Sequence, residues 1–398
     1  MKAVKTIAAL IFLAAVAIVL VQPVLGADDE GPAPEARREA SPPESPEPSP
    51  DAEPQDDGRV RVVSRYPERC LRKDVGSTGL VAARRGSTAT IGFPGRAPVA
   101  RVGVSGDVVW SPSGTFLAER GGRVFDQSGN PQGALFFEPR QWQWSPVADC
   151  ALALTERGNL TFSIPDTTRK GIRLLDAPVE EFDVSPNGRR VAAVVGGGGL
   201  WIADLRDRDA VQATEGPASI AGWFSNRSVL YSRSRDSGKL RFASGRGRTR
   251  VVRDAFAGGS LVRCNGRTLQ ASPATKFNPP LVELAARRGR IVERTLAAAG
   301  GYHGYSGAAC SPHGAFLAAS TMVRDERGPL VLLRPDGTFV RELVGGRTAN
   351  PQWSQEGLMY VRFGNGGRGR LWLIGPGADP IPTQYTVGAP TQYDWHVR

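Results

Sequence analysis

A four-residue turn, Ser-Pro-x-Gly, recurs along the chain at a nearly constant spacing. Complete copies occur in WSPSG (110–114), VSPNG (184–188) and CSPHG (310–314). Proline presets φ at the second turn position, the serine hydroxyl can cap a nearby backbone N–H, and glycine supplies the left-handed conformation at the end of the turn. Each copy is followed by an apolar run, so the motif predicts a hairpin that joins two short strands.

Degenerate copies fill the gaps between the complete turns. Including them, the serine position recurs at residues 111, 145, 185, 225, 263, 311 and 354. A period near 40 residues built from strands and turns is typical of a propeller blade, not of a helical solenoid. A third strand such as LWIADL (200–205) and a more polar fourth such as TFVREL (338–343) complete each repeat. Four antiparallel strands make one blade.

The two ends of the repeat region complement each other. GLVAAR (79–84), TATIGF (88–93) and PVARVGV (98–104) have the pattern of second, third and fourth strands without a first, whereas YDWHV (393–397) is a first strand with nothing after it. We therefore predict an all-β propeller of about eight four-stranded blades, in which the C-terminal strand closes the N-terminal blade. Seven blades is the alternative, because one repeat is only 34 residues long.

The repeats WSPSGTFLAE, VSPNGRRVAAVV and CSPHGAFLAAS resemble the TolB-like propeller repeat, in which an aromatic residue precedes Ser-Pro-Asp-Gly and an apolar strand. The resemblance covers about residues 75–398, with Ser, Asn or His at the position where the family has Asp. The Trp-Asp and Gly-His pairs of WD40 repeats are missing, so the likeness to WD40 propellers is one of architecture. The resemblance implies a propeller fold and an extracytoplasmic setting.

The first 26 residues have the pattern of an export signal. Lys2 and Lys5 precede an apolar run at residues 7–21, and Val24 and Gly26 are small enough for a signal peptidase site. This pattern predicts cleavage before Ala27 and an extracytoplasmic protein. The alternative is an uncleaved anchor that tethers the protein to the membrane through residues 7–25.

Residues 27–58 form an acidic, proline-rich segment with eleven carboxylates and no aromatic residue, which predicts a disordered linker. The whole chain carries +11, the leader contributes +2 and the linker −9, so residues 59–398 carry +18. Such a body could bind an anionic envelope polymer or lipid surface; a generally basic surface without a specific ligand is the alternative. The arginine runs contain no interleaved aromatic residues, so we expect no nucleic-acid partner.

The chain has four cysteines and three histidines. In an exported protein Cys70, Cys150, Cys264 and Cys310 could form two disulfides or remain buried thiols, and no CxxC spacing indicates a metal. His303, His313 and His396 lack a metal-binding spacing. We therefore predict no catalytic residue, no metal and no cofactor. A Gly-x-Ser-x-Gly elbow, which a fused hydrolase domain would need, is also missing from the sequence.

The connections between blades open at the mouth of the central channel, and we predict that they carry the binding site. Arginine and aromatic residues dominate protein interfaces. On this basis the predicted binding residues are Arg140, Trp142, Glu180, Tyr302, His303, Tyr305, Arg347, Gln392 and Tyr393. We expect a monomeric, non-enzymatic binding or scaffold module at the cell envelope, whose partner is an envelope protein or an anionic wall glycan. The alternative is a propeller enzyme of the lyase or lactonase type with a polar site in the channel.

The leader makes a direct prediction. N-terminal sequencing of the protein recovered from outside the cytoplasm should give Ala27 as the first residue. A chain that begins at Met1 and stays with the membrane after washing in high salt would contradict cleavage and support the anchor.

Overall fold

The computed structural model describes residues 59–398 apart from 137, 166, 169, 198, 234–239, 252–259, 272–280, 288–289, 297–303, 324–325, 365–366, 389–391 and 397–398. The predicted leader and linker lie outside the described residues. The described chain folds into eight antiparallel sheets of four strands each, arranged as a β-propeller. It contains one helix of four residues, α1 (Glu68–Leu71), and no helix among these residues is long and apolar enough to cross a membrane.

The first four blades follow the repeat in chain order. Blade 1 begins with β1 (Val81–Arg85), β2 (Thr88–Gly92) and β3 (Pro98–Gly103). Blade 2 contains β4 (Val108–Trp110), β5 (Phe116–Glu119), β6 (Arg123–Asp126) and β7 (Pro131–Ala134). Blade 3 contains β8 (Gln141–Trp144), β9 (Ala151–Leu154), β10 (Leu160–Ser163) and β11 (Ile172–Arg173). Blade 4 contains β12 (Val179–Val184), β13 (Arg190–Val195), β14 (Gly199–Asp204) and β15 (Asp209–Thr214).

The other four blades have the same order. Blade 5 contains β16 (Ser219–Ser225), β17 (Ser228–Ser232), β18 (Arg241–Ser244) and β19 (Thr249–Val251). Blade 6 contains β20 (Ser260–Cys264), β21 (Arg267–Ala271), β22 (Leu281–Arg287) and β23 (Arg290–Thr295). Blade 7 contains β24 (Gly304–Cys310), β25 (Leu317–Val323), β26 (Glu326–Leu333) and β27 (Phe339–Val344). Blade 8 contains β28 (Thr348–Ser354), β29 (Gly357–Phe363), β30 (Gly369–Ile374) and β31 (Ile381–Val387), and the last strand is β32 (Tyr393–Trp395).

The last strand closes the ring as predicted. β32 pairs antiparallel with β1, with Val81 opposite Trp395, and so becomes the innermost strand of blade 1. The buried Trp395 indole donates to the Gly79 carbonyl at 3.2 Å. Sharing one blade between both chain ends removes the open sheet edges that a linear row of blades would leave. The predicted eight blades and C-terminal closure are therefore confirmed.

The three complete Ser-Pro-x-Gly turns share one geometry, which follows from their chemistry. Gly114, Gly188 and Gly314 have φ of +77°, +68° and +68°, in the left-handed region that glycine adopts without strain. The Ser185 hydroxyl accepts a hydrogen bond from the Arg190 N–H at 2.8 Å, and the other two serines do the same in their turns. The turns therefore have the hairpin conformation that the motif predicts.

Antiparallel order places the loops of each blade on two opposite faces. Turns between the first and second strands and between the third and fourth strands lie on one face, which we call the turn face. Turns between the second and third strands and the connections between blades lie on the other, which we call the connection face. The predicted binding residues Arg140, Glu180 and Arg347 stand at connections between strands of successive blades, and hence on the connection face.

Residues 59–80 form a feature that the repeat pattern did not predict, which we call the N-terminal strap. Val62 forms an antiparallel bridge with Leu175, and the Val63 N–H donates to the Leu174 carbonyl at 2.8 Å. This pairing extends blade 3 beyond its outer strand. Buried strap residues, Tyr66 among them, share one hydrophobic core with the side chains of blades 3 and 4.

The strap then crosses the turn face from blade 3 towards blade 1. The Asp74 N–H donates to the Val147 carbonyl at 2.6 Å, and the Gly76 N–H donates to the Pro112 carbonyl at 3.0 Å. A disulfide joins Cys70 of the strap to Cys150 of blade 3, and a second joins Cys264 of blade 6 to Cys310 of blade 7. One disulfide thus fixes the strap, and the other links two neighbouring blades.

This arrangement predicts different effects for the two disulfides. In a Cys70→Ser/Cys150→Ser variant the strap should open more often, since a disulfide in a loop of this length contributes about 2–4 kcal/mol. Limited trypsin digestion should then cut after Arg65 or Arg69 at least several times faster than in the parent. The matched Cys264→Ser/Cys310→Ser variant should leave this cleavage rate unchanged. Equal rates in all three proteins would contradict an anchoring role for the Cys70–Cys150 bond.

Candidate functional site

The channel wall at blades 2 and 3 contains a cavity of about 490 Å³. We call it the channel pocket. It runs along the innermost strand β8, from the connection face to the turn face, and the half-exposed Val109 of blade 2 adds an apolar patch. Its lining consists of Asp107, Val109, Arg120, Pro139, Arg140, Gln141, Trp142, Gln143, Trp144, Ser145 and Pro146.

Two of the predicted binding residues lie in this pocket, and a third contacts it. Arg140 is exposed, and its guanidinium donates to the backbone carbonyl of Glu180 in the next blade. Trp142 is half-buried and packs edge-on against Trp144, with ring centroids 5.8 Å apart. The Trp144 indole donates to the Val109 carbonyl at 3.2 Å, which fixes the ring pair. The pocket therefore presents one partly exposed indole beside one exposed guanidinium.

The innermost strands exchange hydrogen bonds from blade to blade. The Gln141 amide donates to the Phe182 carbonyl at 2.8 Å, and Glu181 accepts from the Ile220 N–H at 3.2 Å. The Asp394 carboxylate accepts from the Trp110 N–H at 2.7 Å. We call these side chains, with Gln143, Asp183, Arg263 and Gln352, the inter-blade belt. The belt gives partners to backbone groups on the channel edge of β4, β12, β16 and β32, which no further strand covers.

The sequence analysis missed the belt, although its signal is present. The belt residues Gln143, Asp183 and Gln352 each stand two positions before the serine of the turn, and Gln141 and Glu181 stand four before it. Alternation along a strand directs both positions to the same side of the sheet. A polar residue two or four positions before the turn serine therefore indicates a side chain that reaches the neighbouring blade.

The belt residue Asp183 has a strongly shifted pKa. Its carboxylate accepts from the Val184 N–H at 2.9 Å and from the Gln143 amide at 3.3 Å. Burial raises its pKa to about 6, because loss of hydration disfavours the charged form more than these two donors favour it. The negative charge of nearby Glu181 raises the pKa further.

Two further predicted binding residues, Arg347 and Gln392, lie near the ring closure and do not line the channel pocket. Arg347 is exposed on the connection face and lies 5.9 Å from the centre of the Phe363 ring. Gln392 is half-buried, and its backbone carbonyl accepts from the Arg84 N–H at 3.1 Å. Arg347, in blade 8, belongs to a part of the ring that does not include blades 3 and 4. The structure therefore divides the predicted site into two separate parts of the connection face.

Two of the predicted tyrosines need correction. Tyr305 was expected in an exposed loop, but it lies in β24 opposite Thr321 and is only 2% exposed. Tyr393 is 7% exposed, and its hydroxyl donates to the Met359 carbonyl at 3.0 Å. Burial raises the pKa of Tyr393 well above its usual value, so the phenol remains a hydrogen-bond donor. Both side chains pack in cores between blades: Tyr305 because β24 begins at Gly304, before the turn pattern indicated, and Tyr393 because it is the first residue of the closing strand β32.

The three histidines also lie in different environments. His303, like Tyr302, lies outside the described residues. His313 is exposed in the turn of blade 7. His396 is 1% exposed; its Nδ1 accepts from the Thr78 N–H at 3.1 Å, so its Nε2 donates to the Pro112 carbonyl at 3.0 Å. His396 therefore ties the closing strand to the strap and to blade 2. Among the described residues no group of three or more His, Cys, Asp or Glu side chains could hold a metal.

Comparisons with known proteins agree with this architecture. Dihydro-heme d1 dehydrogenase NirN, solved in complex with DHE, matches with a TM-score of 0.55 and 14% identity over 80% of this chain and 76% of that one. A eukaryotic initiation factor matches with a TM-score of 0.54 and 12% identity over 82% of this chain and 89% of that one. At these identities the likeness shows the fold alone.

TolB from Acinetobacter baumannii is also matched, with a TM-score of 0.37 and 12% identity over 81% of this chain and 67% of that one. No protein-family model matches the chain. No curated protein matches it either. Membership of the TolB-like family thus stays a prediction from the turn motif.

The pKa of Asp183 predicts a pH-dependent stability. In the unfolded chain Asp ionises near pH 4, so between about pH 4 and pH 6 the folded protein holds a proton that the unfolded chain has lost. Stability must therefore fall as pH rises through this window. In Asp183→Asn the amide oxygen keeps both donors, so the variant should match the parent near pH 4 and exceed it above pH 7, by about 1–2 kcal/mol. Thermal unfolding at both pH values measures this difference; an equal difference at both would contradict it.

Proposed function

We propose that this protein is exported and acts as a non-enzymatic binding module, which holds a segment of an envelope protein in the channel pocket. The leader pattern of residues 1–26 supports export. The observation that carries the binding role is the pocket itself, where Trp142 and Arg140 are presented together on a rigid strand. Tryptophan and arginine are the residues most enriched at the energetic centres of protein interfaces.

The geometry of the pocket suits a protruding side chain or loop tip. A volume of about 490 Å³ holds one or two large side chains, and the Trp142–Trp144 pair and Val109 provide an apolar wall. Arg140 stands at the entrance, and its exposed guanidinium could bind a carboxylate or carbonyl oxygen of the partner. The hydrogen bond from Arg140 to the Glu180 carbonyl holds it in place before binding, which lowers the entropy cost of association.

The polar groups of the channel favour binding over catalysis. Glu181 and Asp394 each accept a hydrogen bond from the backbone of a neighbouring blade, and Asp183 is paired with Gln143. A general acid or base must be within hydrogen-bond reach of a substrate proton. These carboxylates instead bond to the protein. The proposed role of the channel wall is therefore recognition.

A quantitative capture experiment tests this function. The exported protein is immobilised, partners are recovered from an envelope extract, and the purified partner is titrated against the parent, Trp142→Ala and Arg140→Ala. Each substitution should weaken binding at least about tenfold, as expected of residues at the centre of an interface. Phe316→Ala is the matched control, because Phe316 is an exposed aromatic residue on the turn face.

Two results would contradict the proposal. One is equal loss of affinity in Phe316→Ala and Trp142→Ala with both proteins folded by circular dichroism. The other is turnover of a lactone or a lyase substrate by the parent that Trp142→Ala abolishes. The second result would support the enzymatic alternative.

A further inference from the structure

A second surface of the connection face, centred on blades 7 and 8 and reaching blade 1, is formed by arginines that do not line the channel pocket. We call it the arginine arc. These arginines stand at the second-to-third-strand turns or at the connection before blade 8, and all but Arg362 are exposed. The arc consists of Arg85, Arg327, Arg347, Arg362, Arg368 and Arg370.

Strand register brings the central members of the arc together. Arg362 of β29 stands directly opposite Arg370 of β30. The backbone carbonyl of Arg347 accepts from the Phe363 N–H at 2.9 Å, so Arg347 is beside the same strand end. Like charges directly opposite each other across two strands are destabilising. The fold therefore keeps these guanidinium groups close together although their mutual repulsion destabilises the sheet.

Aromatic rings hold the guanidinium groups in place. Arg327 lies 4.6 Å and Arg347 5.9 Å from the centre of the Phe363 ring, and Arg362 lies 5.1 Å from that of Trp372. A cation over an aromatic face is stabilised by about 0.5–1 kcal/mol at exposed sites. Stacking also orients the guanidinium plane, which leaves its N–H groups available at the edge for planar oxyanions.

Three central arginines of this surface form no ion pair with a described carboxylate. None of the ion pairs among the described residues involves Arg347, Arg362 or Arg370. Burial lowers the pKa of Arg327, and the charge of Arg347 lowers it further, as expected for two cations near one ring. An anion at this place would relieve the repulsion, so its binding is favoured by the charges already built into the fold.

We propose that the arginine arc binds a linear polyanion, an envelope polymer whose repeating units carry phosphate or carboxylate groups. The arc contains arginine and no lysine, and arginine binds both oxyanions through a planar pair of N–H groups. Several cations along one rim suit a chain of anions better than a single ion. Phe363 and Trp372 already carry guanidinium groups, so they do not form the free stacking platform of single-stranded nucleic-acid sites.

The test titrates the full chain with two probes, a defined-length polyphosphate and poly-glutamate, by fluorescence anisotropy at several salt concentrations. We expect binding of at least one probe, and the probe that binds tighter distinguishes phosphate from carboxylate recognition. Arg347→Gln/Arg370→Gln should weaken that binding at least about tenfold and reduce the slope of log Kd against log salt by about two, one for each lost contact. Its melting temperature should change little, because the relief of repulsion opposes the loss of the contact between Arg347 and the Phe363 ring.

The matched control is Arg189→Gln/Arg206→Gln, which removes the same charge from exposed positions of the turn face. It should keep the affinity within about twofold. Equal losses of affinity in both double variants would show that binding depends on the net charge of the protein and not on a specific site. Failure of both probes to bind the parent would also overturn the proposal. Trp142→Ala should leave polyanion binding unchanged, so failure of the channel pocket and failure of the arc can be told apart.

Discussion

The inner edge of each blade is the constraint on which the rest of this propeller depends. Four strands satisfy one another within a blade, but the innermost strand has backbone groups that face the channel and have no further strand to pair with. The inter-blade belt provides partners for these groups through side chains such as Gln141, Glu181 and Asp394. Because these side chains belong to one blade and bond to the next, the same hydrogen bonds satisfy the edge and join neighbouring blades. Glu181 and Asp394 are thereby bonded to the backbone of a neighbouring blade.

Both proposed binding surfaces use side chains outside the belt: Arg140 and Trp142 line the channel pocket, and Arg347 belongs to the arginine arc. The two surfaces belong to different blades of one ring, so the proposals of a protein partner at one and a polymer at the other are independent of each other.

Much of the fold could be predicted because the turn motif is local chemistry. The serine cap, the proline and the left-handed Gly188 act within five residues, so WSPSG and its copies specify hairpins, and their spacing specifies blades. The strap could not be predicted, since Val62 pairs with Leu175 across more than a hundred residues and no repeat announces it. The pairing of the cysteines could not be predicted either, because four cysteines allow three connectivities. The burial of Tyr305 and Tyr393 could not be predicted for a related reason: aromatic residues near a loop pack in a core as readily as they form an interface.

The strap has a mechanical consequence. Without the Cys70–Cys150 bond, a force applied at residue 59 would run through the strap to β1 and pull on the seam with β32. The disulfide diverts the load into blade 3, whose strands are continuous with both neighbours in the chain. The covalent bond therefore transmits such a force to blade 3 before it reaches the short seam between β1 and β32.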